Sequence, residues 1–122
     1  MQWIFENDRP IYVQLKEKIK LMIISGAYPP GSKLPPVRDL AEEASVNPNT
    51  LQKALMDLEK EGLVYSQRTS GRFVSEDEEM IKVAKKDLAL EQIEIFFKKM
   101  SGMGYDKKEI LTLIESKMKE MN

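Results

Sequence analysis

Between Asn47 and Lys53 the chain reads NPNTLQK, a run that offers amide, hydroxyl and ammonium groups and no carboxylate. Asn and Gln amides can donate and accept together along an adenine edge, and a Lys ammonium can reach guanine acceptors or a phosphate. On a helix turning about 100° per residue, Asn49, Gln52, Lys53, Met56 and Lys60 share one side, and Leu51, Ala54, Leu55 and Leu58 the other. The apolar side packs. The polar side lacks the mixture of Glu, Lys and Ala that a solvated helix face ordinarily carries, and acids enter only at Asp57 and beyond. A helix that meets the major groove by its N-terminal end would be leaving the duplex there. Its dipole also favours phosphate near the amides of Asn49 and Thr50.

Other cationic groups lie close by in sequence. Arg38 sits on the flank of the preceding apolar stripe, where it can clamp a phosphate, reach a base, or pair with Asp39, Glu42 or Glu43. Arg68 and Arg72 bracket Thr69-Ser70-Gly71, a small tip that suits a wing lying along a minor groove. Lys33 precedes these elements, and Asn47 stands where a helix cap belongs. The candidate nucleic-acid contacts are therefore Lys33, Arg38, Asn47, Asn49, Thr50, Gln52, Lys53, Arg68, Ser70, Gly71 and Arg72.

Competing chemistries are few. The chain has no Cys and no His, which excludes a disulfide scaffold, a thiol nucleophile, a Cys/His zinc site and a His-activated serine. The carboxylates alternate with lysines in helical patterns typical of solvated faces, so no enzyme is expected, and no cofactor or metal is implied. The net charge is −1, with 19 basic and 20 acidic residues, so no global basic field draws in nucleic acid. Nucleic-acid binding must come from local placement. No apolar run reaches the ~20 residues that span a bilayer and no signal-peptide pattern opens the chain, which predicts a cytoplasmic protein without a membrane partner.

The elements that position these residues follow from periodicity and punctuation. Ile11, Leu15, Ile19 and Ile23 recur at helical steps with Met22 alongside; Asp8 is placed to cap that helix and Gly26 to end it. AYPPGSKLPP is too rich in Pro and Gly for a regular element. PVRDLAEEA forms a short second helix, Ser45-Val46-Asn47 a tight turn, and Pro48 opens the third helix, which Gly62 closes. LVYS and RFVS, joined by QRTSG, read as a β-hairpin. Residues 1–75 thus have the order of a winged helix-turn-helix domain. Residues 76–122 hold a long helix opened by a capping box of Ser75 and Glu78, and a last helix opened by Asp106 and Glu109. The Gly-x-Gly between them follows a helix and lacks a third glycine, so it is a helix–helix turn and no nucleotide site. The expected fold is mainly α with one small β-hairpin.

The stretch PPGSKLPPVRDLAEEASVNPNTLQKALMDLEKEGLVYSQRTSGRFV, Pro29 to Val74, closely resembles the DNA-binding domain of GntR-family bacterial transcription regulators. PxGxxLPxxRxLA, the V-x-x-x-T helix start, L-x-x-EGL and the closing G-x-F-V are all matched, and IYVQLKEKI resembles the family's first helix. The resemblance implies a dimer on a two-fold double-stranded DNA operator, with recognition helices in major grooves and wings at minor grooves. By position it assigns contact to Arg38, Asn49, Thr50, Gln52 and the wing around Gly71. The chain departs from the pattern at four places. Pro48 and Gln52 stand where many members carry arginine, Thr69 replaces the first wing glycine, and Ser45 occupies the usual glycine of the turn. The short two-helix tail resembles the YtrA-type subgroup, whose members are often repressors. The acidic balance leaves open a second reading, a winged-helix protein-interaction module that does not touch DNA.

In the tail, Ile81, Leu88 and Ile95 recur at sevens, as do Val83, Leu90 and Phe97, with Ala89, Ile93, Phe96 and Met100 between them. The last helix adds Ile110, Leu111, Leu113, Ile114 and Met118. Two helices cannot bury so wide an apolar surface between themselves, so a second copy is expected to complete the core. The interface assigned to this homodimer is Ile81, Ala84, Leu88, Ile93, Ile95, Phe96, Met100 and Ile114. Its Met- and Phe-rich composition could also hold a small-molecule effector.

Overall fold

The computed structural model of the chain describes residues 3–121. Helix α1 (Ile11–Ile24) is followed by α2 (Val37–Ala44), α3 (Pro48–Lys60), strands β1 (Val64–Gln67) and β2 (Gly71–Val74), α4 (Glu78–Gly102) and α5 (Lys107–Glu120). Two compact units divide the chain, the first running to Ala84 and the second starting at Lys85. The expected boundary at residue 75 falls too early, because the first turns of α4 belong to the first unit.

In that unit α1 turns Leu15, Ile19, Met22 and Ile23 inward, whereas Ile11, expected in the same stripe, is exposed at the helix start. No side chain caps α1, so the role foreseen for Asp8 is not taken up. Buried Gln14 ties down the incoming chain instead: its Oε1 accepts from the Glu6 N–H at 2.7 Å, and its Nε2 donates to the carbonyls of Glu6 and Arg9 at 2.8 and 2.9 Å. A buried amide is retained only when its donors and acceptor are satisfied, and here they are.

Helices α2 and α3 meet through Ser45, which takes φ 56° in the left-handed region and is the sole non-glycine residue to do so among those described. Val46 N–H then reaches back to the Ala41 carbonyl at 2.9 Å, closing the turn of the helix-turn-helix. Asn47 caps α3 as expected, its Oδ1 accepting from Asn49 N–H at 2.8 Å, with Pro48 in the first turn. Leu51, Leu55 and Leu58 are each almost wholly buried, worth roughly 1.5–3 kcal/mol apiece for the burial.

The hairpin pairs Val64 with Val74, Tyr65 with Phe73, Ser66 with Arg72 and Gln67 with Gly71. Its tip is Arg68-Thr69-Ser70. A third edge lies along β2 that Pro and Gly content had argued against. Leu34 N–H donates to the Arg72 carbonyl, Val74 N–H to Ser32 and Gly31 N–H to Val74, at 2.9, 2.9 and 3.0 Å. Proline forbids a ladder only at its own nitrogen, and between the flanking prolines Gly31 and Leu34 supply N–H donors and Ser32 a carbonyl.

The core of this unit joins α1, α2, α3, Leu34, Leu63, Val64 and Val74, and it also takes in Ile81. Asp77, and not Ser75, caps α4: Asp77 Oδ1 accepts from Met80 N–H at 3.1 Å, while Ser75 Oγ accepts from Asp77 N–H. In the second unit the Asp106–Glu109 capping box forms as expected, and Ile110 is fully buried.

Two lysines of α1 converge on the end of α3. Lys16 and Lys20 both pair with Glu61, Lys20 Nζ lying 3.1 Å from Oε1. Burial pushes the Glu61 carboxyl up, but hydrogen bonds and charge from the two lysines prevail and hold it below its ordinary 4.5. A depressed carboxylate stabilises the fold above its ordinary value and loses that contribution as pH falls through the folded value. Glu61→Gln is therefore expected to lower folding stability at neutral pH, and the melting temperature with it, by no more than about 1 kcal/mol of free energy given the partial exposure of the pair. The gap between variant and parent should close as pH drops below 4.5. Thermal melts across that range test it, and a gap that persists in acid would contradict the assignment.

Candidate nucleic-acid interface

The polar side of α3 is exposed at its N-terminal end. Asn47, Pro48 and Asn49 are open to solvent and Thr50 and Gln52 are half-buried. The backbone there is less available than the sequence suggests. The N–H groups of Asn49 and Thr50, expected to attract phosphate, both bond to Asn47, the first through its side chain and the second through its carbonyl. The side chains are what this end of α3 leaves free to meet a ligand.

Arg38, in the first turn of α2, is exposed, and no ion pair with Asp39, Glu42 or Glu43 forms among the described residues. An unpaired guanidinium at the start of α2 keeps all its donors for a ligand. Lys53 differs: its Nζ lies 3.8 Å from the ring centroid of Tyr12, a cation–π contact that holds it against α1.

The wing also approaches α2 and α3. A cleft of about 210 Å³ is lined by Lys33, Pro36 and Val37 ahead of and in α2, Leu55 of α3, and Ser70, Gly71 and Arg72 of the wing. No acidic residue lines it. Gly71 has φ +108°, and a Cβ there would lie 3.2 Å from Lys33 Cε, so the glycine both makes the tip and admits the lysine. Arg68 and Ser70 are exposed at the tip.

Arg72 does not point away with Arg68. Its Nε donates to Glu59 Oε1 at 2.6 Å and its Nη1 to Gln52 Oε1 at 2.9 Å. Ser66 Oγ donates to the same Glu59 oxygen. Burial raises the Glu59 carboxyl, yet the hydrogen bonds from Ser66 and Arg72 and the arginine charge bring it below its ordinary value. The sequence singled out Gln52 and Arg72 separately. It missed Glu59, whose only visible signal is its spacing of seven from Gln52, two helical turns along one face.

In the tail, Leu88, Met100 and Ile114 are half-buried, and Ile93, Ile95 and Phe96 are exposed. Ile81 and Ala84 are corrections. Ile81 is 8% exposed in the first unit's core and leaves no free surface for a partner, and the partly buried Ala84 packs against that core. The heptad pattern had included Ile81 because a helix that changes partners along its length keeps one continuous apolar stripe.

Two short helices at a tight turn, an exposed polar face on the second, and a basic hairpin beside it define a winged helix-turn-helix protein of the DNA-binding kind. The model for "Bacterial regulatory proteins, gntR family" matches residues 11–74. The HTH-type transcriptional regulator YhcF of Bacillus subtilis strain 168 is 36% identical over 112 residues, 92% of this chain and 93% of that protein. The transcriptional repressor YtrA of the same strain is 41% identical over 71 residues, 58% of this chain and 55% of YtrA. Among solved structures, a GntR family transcriptional regulator from Listeria monocytogenes superposes with TM-score 0.84 at 35% identity, covering 92% of this chain and 98% of that one. The AraR DNA-binding domain in complex with operator ORX1 superposes with TM-score 0.56 at 34% identity, over 59% of this chain and 93% of that one. The chain belongs to the gntR family of bacterial regulatory proteins, and is a sequence-specific DNA-binding transcription regulator of YtrA type.

Proposed function

We propose that the protein is a cytoplasmic repressor that binds a two-fold operator as a homodimer, each subunit presenting α3 to a major groove and its wing to the adjacent minor groove. The observation that carries this is the hydrogen bond from Arg72 of the wing to Gln52, which sets the wing strand against the polar side of α3, with Asn49, Arg38 and Arg68 exposed. The AraR domain's complex with operator DNA supports this reading over a protein-interaction module. No helix among the described residues is long and apolar enough to cross a membrane, which accords with the cytoplasmic assignment. Repression follows by analogy with YtrA. In this reading Asn49, Thr50 and Gln52 face bases, Arg38 and Lys33 reach a base edge or backbone, and Arg68 and Ser70 follow the wing-side phosphates. Asn47 serves as the cap. The exposed apolar residues of the tail, Ile93, Ile95 and Phe96 with Leu88, Met100 and Ile114 beside them, form the dimer contact. A small-molecule effector would enter the same Met- and Phe-rich region.

Salt-titrated binding of the intact protein to DNA selected from a random pool is the test. Arg68→Ala should weaken binding to all sequences alike and flatten the plot of log affinity against log salt by about two units per dimer, one phosphate from each wing. Affinity that falls with the slope unmoved would take Arg68 off the phosphate backbone. An intact protein that enriches no sequence would remove the operator reading.

A further inference from the structure

We propose that Arg72 sets which base Gln52 reads, by turning the glutamine amide so that it presents donors alone. A free glutamine side chain recognises adenine by using both ends of its amide, the oxygen accepting from N6 and the nitrogen donating to N7. Here the oxygen is engaged by the wing, with one of its two lone pairs already taken. Gln52 Oε1 accepts from Arg72 Nη1 at 2.9 Å, while Arg72 Nε is held by Glu59 Oε1 at 2.6 Å. The orientation of the amide follows from chemistry as well as position, since a guanidinium has five donors and no acceptor and only the amide oxygen can face it. The amide nitrogen makes no hydrogen bond among the described residues and is what the half-buried side chain has left to offer.

Two spacings build the device. Gln52 and Glu59, two turns apart, place two oxygens along one side of α3. The hairpin register sets Arg72 opposite Ser66, whose hydroxyl also donates to Glu59 and fixes the carboxylate on the wing side. Arg72 is thereby bound at both of its ends, and rotation of the Gln52 amide would break a bond to a charged group. An amide presenting only N–H groups matches guanine, whose N7 and O6 are adjacent acceptors, and loses the second bond to adenine. Arg72 is thus a positioning residue. The wing strand, which need not touch the base, edits the recognition helix.

This inference rests on the assignment of α3 to the major groove. Selection of bound sequences from random duplex DNA is run with the full chain as wild type, Gln52→Ala, Arg72→Met, Glu59→Met and Gln52→Ala with Arg72→Met. Wild type should prefer guanine over adenine at one position of each half-site by roughly tenfold, within the reach of a two-bond base contact. Gln52→Ala should lose that preference. Arg72→Met should shift it to adenine at that position alone, and Glu59→Met should move it the same way while leaving the arginine in place. In the Gln52→Ala background, removing Arg72 should leave that position unchanged. A merely structural role for Arg72 would lower affinity for every sequence and move no single position. Adenine already preferred by wild type, or the same preference in wild type, Arg72→Met and Glu59→Met, would overturn the proposal while the operator reading stands. A wild type that enriches no sequence at all would overturn both.

Discussion

Exchanging Ile93 and Phe96 for lysine is expected to turn a dimer into a monomer and to cost operator affinity by about a hundredfold or more, the usual scale of linking two binding modules. Both side chains are open to solvent in the single chain, at 51% and 41%, so the exchange should leave each subunit folded. An apolar surface that also includes Leu90 and Ile95 is left uncovered by the tail's own two helices. Lysine in the buried centre of a dimer contact would be an unpaired charge, which breaks such contacts. A lone winged domain makes few contacts, whereas two tethered domains add theirs on a symmetric operator. Sedimentation of parent and variant, with operator titrations beside it, provides the measurement. A parent protein that is monomeric at micromolar concentration and still binds tightly would defeat the account. Truncation is the less direct route, and the structure says where to cut. Removal after Ser75 would strip Ile81 from the first unit's core, so a shortened protein must run at least to Ala84.

Arg38→Ala should weaken operator binding by about 1–3 kcal/mol if the guanidinium makes a two-bond contact to a base, and leave the melting temperature where it was. The side chain is exposed and unpaired among the described residues, so the fold loses nothing with it. Lys53→Ala offers a contrast within the same candidate set. Its ammonium lies over Tyr12 of α1, so its removal should cost about 0.5–1 kcal/mol of folding stability. Calorimetry of binding and thermal melts of both variants separate the two effects. Unchanged affinity in Arg38→Ala would remove the start of α2 from the interface.

Much of the fold was legible because its signals are local. Four-residue apolar steps give α1, Pro48 after Asn47 gives the start of α3, and Asp106 with Glu109 gives the start of α5. Each involves residues within one turn of each other, where backbone geometry alone decides. The errors arose where distant chain decides. Ser75 and Asp77 compete to start α4 two residues apart, and sequence spacing favours the one that the hairpin's end actually buries. The Pro- and Gly-rich stretch after α1 becomes a sheet edge only because β2 lies alongside it.

For the site, residue types in the sequence determined by themselves what chemistry was available: amides and cations with no acid near the start of α3, and no His or Cys to support anything else. They also determined the helix-turn-helix, since the capping and turn residues act on their own backbone. Only the tertiary structure decided which of those groups are free. Arg38 stays unpaired, Lys53 is drawn to Tyr12, and Gln52, Arg72 and Glu59 join across helix and hairpin. The reason is physical: a donor or acceptor is a property of one residue, but its availability depends on what the fold brings within hydrogen-bonding distance, and those partners lie 13 to 41 residues away in the chain.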